Sequence, residues 1–243
     1  MTRPGITGVG AYAPRLRVTA ETVAAAWGRF DAAGIETTAV PEADEDALTM
    51  AVAAGRRALT AAGVDPGAVA HLAFATTTPP LAEGDLTARL TSVLGTPETA
   101  HTQTVTGSTR AGAQALVGAL EAGPWGEQVG LVVASDCPRG APDSGIEHAA
   151  GAGAGALVLA ADGPAAVTEY ASHSHPAPGG RFRRSGETET TGLGVTAYDR
   201  ETFTSTLGRA ADQLDCETPA AAAAVQSPDG KLPYRAASTL GVE

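Results

Sequence analysis

The sequence predicts an α/β protein built on a sheet covered by helices. Three observations carry that prediction. Segments of strand and helix character alternate through residues 1–163. One of them, QVGLVVASD (128–136), is apolar along nearly its whole length, as strands are when both faces of their sheet are covered. Helix-like segments are also bounded by residues that start and stop helices, Thr19 and Gly28 around AETVAAAW being the clearest pair.

The elements follow in order. GITGVGAYAPR (5–15) reads as a strand ended by Pro14. Residues 42–63 predict a long helix, with acids in its first turn, Arg56 and Arg57 late, and Gly63 as its stop, all matching the helix dipole. VAHLAFATTT (69–78) is a strand broken by Pro79 and Pro80, and EGDLTARLTSVLG (83–95) is a helix. A strand-like AHTQTVT then leads into TGSTRAGAQAL (106–116), a glycine-bounded turn that opens a helix over 111–123. GAGAGALVLAAD (151–162) is a strand entered through a glycine run. That run lacks the Lys-Ser/Thr of a phosphate loop and is expected to serve close helix–sheet packing. A second half, 164–243, is expected to hold a strand over AAVTEYASHSH, a long loop at 176–198, a helix at 199–215, a strand and turn at AAAAVQSPDG, and a last helix at PYRAASTLG. The domain division is thus 1–163 and 164–243.

Composition narrows the function classes. Hydrophobic residues make up 43% but aromatics only 4%, so helices should pack through small side chains. Net charge is −11, and of the 16 basic residues only Lys231 is a lysine. Such a surface repels phosphate, which excludes nucleic acid as the expected partner and suits a salt-rich, halophilic cytosol. An acidic substrate would need local arginines. Two unpaired cysteines, Cys137 and Cys216, suggest a reducing compartment. No segment reads as a signal peptide or a membrane span, so a cytoplasmic location and no membrane partner are expected.

Several residues offer chemistry. Ser108 and Thr109 fit a turn and helix cap, with a hydroxyl nucleophile as the sharper alternative. His148 fits a helix–sheet boundary, with a substitute base as the alternative. His173 and His175 would share one face of a strand, but two ligands are a weak metal signal and no metal is expected. Cys137 reads as a small buried filler rather than a reactive thiol. Arg181, Arg183 and Arg184 in GRFRR either grip phosphate or lie in solvent.

GVGAYAPRLRV with AAAWG, DEDALTMAVAAGRRAL, SDCPRGAPDSGIEHAAGAGAGALVL, FRRSG and QSPDGKLP occur in the order and spacing seen in archaeal-type 3-hydroxy-3-methylglutaryl-CoA (HMG-CoA) synthases of the thiolase superfamily, which the chain resembles over almost its whole length. The resemblance implies a thiolase-like fold, two βαβαβαββ halves in a layered α/β/α/β/α arrangement, with the second half incomplete. It implies a chemistry in which a cysteine is acylated by acetyl-CoA, a glutamate handles the enolising proton and a histidine activates the acetoacetyl-CoA carbonyl. Where the family has ACKAGTAAL this chain has STRAGAQAL, which puts Thr109 at the cysteine. FATTTP puts Thr76 at the glutamate, and QSPDGKLP puts Gln226 at the histidine, while Asp229 and Lys231 are retained. A threonine hydroxyl is almost never ionised near neutrality, and neither Thr76 nor Gln226 can take up a proton. The expectation is an impaired enzyme that binds acyl-CoA, with Lys231 and the three arginines as binding residues and no covalently bound cofactor. Expected partners are its own copy in a homodimer, a thiolase, or a zinc-ribbon/OB-fold acyl-CoA-binding protein. The alternatives are an active acyltransferase using Thr109 or Ser108, a non-covalent route through His148, or a gene fragment with no function.

Overall fold

A computed structural model of the chain describes residues 4–123, 125–175, 181–192, 196–215, 221–227 and 230–242. The strands are β1 (Gly5–Tyr12), β2 (Leu16–Thr19), β3 (Thr37–Val40), β4 (Val69–Ala75), β5 (His101–Val105), β6 (Val129–Asp136), β7 (Gly153–Ala160) and β8 (Ala165–Ala166). The helices are α1 (Ala20–Trp27), α2 (Ala47–Ala62), α3 (Leu86–Leu94), α4 (Ala111–Ala122), α5 (Gly145–Ala149), α6 (Thr196–Ala211) and α7 (Leu232–Thr239). Six strands form one sheet in the order β5-β4-β6-β7-β1-β8, and β2 and β3 form a second. β5, β4 and β6 run parallel; β6, β7, β1 and β8 alternate antiparallel.

The strand period of two sorts the core onto both faces of the large sheet. Leu72 and Phe74 of β4, with Leu131 and Val133 of β6, pack under α2 and α3. Their neighbours Ala73, Ala75 and Val132 meet Ala111, Ala115 and Ala119 of α4 on the other face. This is the small-residue packing that the composition predicts. The closest approach is made by glycines of β1. A Cβ at Gly10 would lie 2.1 Å from the Ala54 carbonyl oxygen of α2, and one at Gly8 would lie 2.4 Å from that of Ala58.

Contacts divide the chain into two compact units. One comprises residues 1–17, 39–138 and 151–168 and carries the six-stranded sheet; the other comprises 18–38, 139–150 and 169–243 and carries α1, α5, α6 and α7. In the second unit Gly34, at φ 74°, comes against Gly230. The Gly230 N–H donates to the Ala33 carbonyl at 2.9 Å, and a Cβ on Gly230 would lie 2.1 Å from the Gly34 oxygen.

Most helix boundaries agree with the sequence. Thr19 caps α1 through its side chain and Gly28 ends it at φ 77°. Four expectations are corrected. The acids before α2 precede the helix: Asp46 is its cap, in a capping box with Thr49, and the first turn holds no acid. Only Ala165–Ala166 of the expected strand over 165–175 is a strand, so His173 and His175 do not sit at strand spacing. Residues 221–227 form no strand; an alanine run without β-branched partners has little to hold it in a ladder. The glycine run entering β7 meets a strand rather than a helix: a Cβ at Gly153 would lie 3.3 Å from the Tyr12 carbonyl oxygen of β1, and one at Gly155 would meet nothing within 4 Å. Cys216 and Asp229 lie outside the described residues. No helix among the described residues is long and apolar enough to cross a membrane.

Candidate functional site

The parallel strands β5, β4 and β6 present their C-terminal ends together, the place where open α/β sheets hold ligands. β4 ends at Ala75 and Thr76 follows, 1% exposed, its N–H donating to the Val105 carbonyl at 3.0 Å. The Thr76 hydroxyl donates to Asp136 Oδ1 at 3.1 Å. That oxygen also receives the N–H and hydroxyl of Thr77, at 2.6 and 2.9 Å, and those of Thr78, both at 3.1 Å. Five donors from one threonine triplet therefore converge on one carboxylate oxygen at the end of β6. Cys137, half-buried, donates its N–H to Thr78 Oγ1 at 2.8 Å. Here Thr76 fixes the end of β4 to the end of β6.

On the other side of β4, β5 runs into the turn at 106–110. Ser108 accepts the Arg110 N–H on its hydroxyl at 3.2 Å and the Ala111 N–H on its carbonyl at 2.9 Å. Arg110 takes the cap position of α4 and makes no side-chain cap bond, so Ser108 is a turn residue rather than the formal cap. Thr109 is exposed, and among the described residues no carboxylate or imidazole hydrogen-bonds to either hydroxyl.

In the second unit His148 is 2% exposed on α5. Its Nδ1 accepts the Asp31 N–H at 2.9 Å, its Nε2 lies 3.6 Å from Asp143 Oδ1, and its ring stacks on Phe30 with centroids 5.4 Å apart. Arg29 bridges Asp31 and Asp143 in the same cluster. Both ring nitrogens face protein groups, and the ring ties the 29–31 segment to α5. Gln226 is exposed on an irregular stretch.

The predicted binding residues separate. Arg184 lies 3.8 Å from Glu187 Oε1 and its guanidinium covers the Phe182 ring, while Arg183 donates to the Glu187 carbonyl at 3.2 Å; Arg181 is exposed beside them. Lys231 is elsewhere. It opens α7 and shares a cleft of about 770 Å³ with Arg200, Glu201 and Thr204 of α6 and Tyr234 and Arg235 of α7. Tyr234 is 80% exposed. Neither Arg200 nor Arg235 forms an ion pair among the described residues. Sequence reasoning did not single out Arg200, Tyr234 or Arg235. A signal was present, because Lys231, Tyr234 and Arg235 fall at i, i+3 and i+4 of one helix face. Among the described residues no group of three or more His, Cys, Asp or Glu is arranged to hold a metal.

Comparison with known proteins gives the lineage. No family model matches the chain. The hydroxymethylglutaryl-CoA synthase of Pyrobaculum neutrophilum is 32% identical over 254 aligned residues, which take in all of this chain and 72% of that protein. The chain belongs to the hydroxymethylglutaryl-CoA synthase family. The synthase of Methanopyrus kandleri is 29% identical over 99% of the chain. Among solved structures, MvaS in complex with 3-hydroxy-3-methylglutaryl coenzyme A superposes with a TM-score of 0.84 at 22% identity, covering 99% of this chain and 63% of that one. The priming β-ketosynthase of the R1128 polyketide pathway superposes with a TM-score of 0.81 at 23% identity. The fold is thus thiolase-like, as the resemblance implies. This synthase homologue spans under two thirds of the solved synthase and 72% of the curated one.

Proposed function

We propose that this member of the HMG-CoA synthase family binds acyl-CoA and does not turn it over by the covalent route. The observation that carries the reading is the cleft between α6 and α7. Three cations, Arg200, Lys231 and Arg235, against one acid, Glu201, line it in a chain of net charge −11. Guanidinium forks and an ammonium suit phosphate oxygens, and the exposed Tyr234 ring beside them is a stacking surface for a base. CoA carries both groups. Two solved relatives were determined with such ligands, one with 3-hydroxy-3-methylglutaryl coenzyme A and one with CoA.

The loss of turnover rests on Thr109, Thr76 and Gln226 as the counterparts of the family's cysteine, glutamate and histidine. Removing a nucleophile together with its proton-transfer partners abolishes covalent catalysis as a unit. The surroundings support this: the Thr76 hydroxyl is turned onto Asp136, and among the described residues no carboxylate or imidazole hydrogen-bonds to Thr109. The same lack counts against an acyltransferase using Ser108 or Thr109. Action through assembly follows, with a second copy, a thiolase or a zinc-ribbon/OB-fold acyl-CoA-binding protein as partner, in a salt-rich cytoplasm.

The test combines calorimetric titration of acetyl-CoA in concentrated KCl with an assay of CoA-thiol release, with and without acetoacetyl-CoA. Expected are saturable binding, weakened in Lys231→Ala and Arg235→Ala, and no thiol release. Release above that of a Ser108→Ala, Thr109→Ala double variant would overturn the reading in favour of a hydroxyl nucleophile.

A further inference from the structure

His71 of β4 and His101 of β5 face each other across the parallel ladder, in register. Their Nδ1 atoms lie 3.2 Å apart and their rings stack with centroids 5.0 Å apart. Trp125 also stacks on His71, with ring centroids 5.8 Å apart. His71 is 2% exposed, whereas His101 is exposed on β5, the edge strand of the sheet. The His71 Nε2 is buried with no hydrogen-bond partner. No residue of the proposed acyl-CoA cleft belongs to this stack.

A bond between two Nδ1 atoms needs one donor and one acceptor. Two neutral rings satisfy it with complementary tautomers. One imidazolium and one neutral ring satisfy it as well. Two imidazolium rings cannot, because both nitrogens are then donors and two like charges are pressed together with His71 cut off from water. Helices α3 and α4 and strand β6 pack on β4, and the two helices also pack on β5; their charged residues are Arg89, Glu121 and Asp136. None of these bears on the His71 ring. Burial first, and the charge of His101 second, hold it below the ordinary histidine range.

We propose that the Trp125–His71–His101 stack is a proton-responsive clasp on the edge strand, closed while the pair holds at most one extra proton and open when both rings are charged. The sign follows from His71. Its ring resists protonation in the fold but not in the open state, so the clasp contributes fully above the unperturbed histidine value of about 6.5 and is lost as pH falls through the folded value. Opening frees β5 alone, because β4 keeps its ladder to β6.

Trp125 supplies the readout, since the chain has two tryptophans and Trp27 can be replaced by Phe. An imidazolium beside an indole quenches its emission. In the Trp27→Phe protein, emission and strand-resolved amide exchange are followed from pH 8 to pH 5, with far-UV circular dichroism as the control for global unfolding. Expected is a quench of Trp125 accompanied by roughly tenfold faster exchange of β5 amides, while those of β6 and β7 stay protected. His101→Gln, a change at an exposed site, should remove that β5 response from the range. Two results would overturn the proposal: an unchanged β5 profile in His101→Gln, or loss of protection in all strands together.

Discussion

The end of the parallel strands and the α6–α7 cleft hold their polar groups in opposite ways. At the strand ends the one carboxylate, Asp136, takes five hydrogen bonds from Thr76, Thr77 and Thr78. In the cleft, which Glu201 also lines, Arg200 and Arg235 form no ion pair among the described residues. Groups saturated by their own chain hold a shape. Cations left without partners are available to something from outside. The strand ends are held together by their own chain, while the cations of the cleft lie on two helices.

That contrast can be broken from either side. The largest effect is expected at Asp136. Asp136→Ala leaves five donors without their acceptor and should lower stability by about 3 kcal/mol in urea unfolding. Thr76→Glu sets a second carboxylate against Asp136 and should destabilise comparably; adding Asp136→Asn should recover much of the loss. Additive effects would show that the threonine triplet is not organised by the carboxylate. Gly34→Ala comes next. Its φ of 74° disfavours a side chain, and the new Cβ would lie 2.8 Å from the Gly230 carbonyl carbon, so a loss of about 2 kcal/mol is expected by thermal unfolding. In the cleft, Arg235→Ala should weaken CoA binding about tenfold, near 1.4 kcal/mol, with Tm unchanged. Raising KCl should weaken CoA binding while raising Tm, since screening acts on the ligand's phosphates and on the chain's own repulsion alike. The smallest effect concerns α3. The Thr87 hydroxyl and the Ala88 N–H hold the Asp85 carboxyl below the usual range. That cap therefore contributes above about pH 4 and is lost as pH falls through the folded value, which exchange of the first α3 amides at pH 3 against pH 6 would register.

Much of this architecture is legible in the residues. Thr19, Gly28, Gly63 and Gly95 bound their helices through local backbone chemistry, which a sequence displays directly. The apolar stretch 128–136 becomes the central strand β6 for the same reason. What stayed hidden depends on distant pairing. Nothing in the strand 5–15 shows that Gly8 and Gly10 will lie against α2, whereas Gly155 of the conspicuous glycine run meets nothing within 4 Å. The strand expected in AAAAVQSPDG failed because its alanine run specifies a ladder weakly, and that expected over 165–175 kept only Ala165–Ala166. At the candidate site the threonine triplet was visible but its carboxylate, some sixty residues on, was not. Arg200 and Lys231 likewise lie on different helices, and no short motif contains both.

The contact between Gly34 and Gly230 sets an order of events during synthesis. Segment 18–38 leaves the ribosome early, yet the unit it belongs to is completed by residues near the end of the chain. The first unit needs nothing beyond residue 168 for its six-stranded sheet. It can therefore fold while α1, which has no fully buried residue of its own, waits for its partners. A ribosome stalled well past residue 168 but before residue 230 would hold a finished sheet together with segments of the second unit, α1 and α5 among them, that lack their last partners.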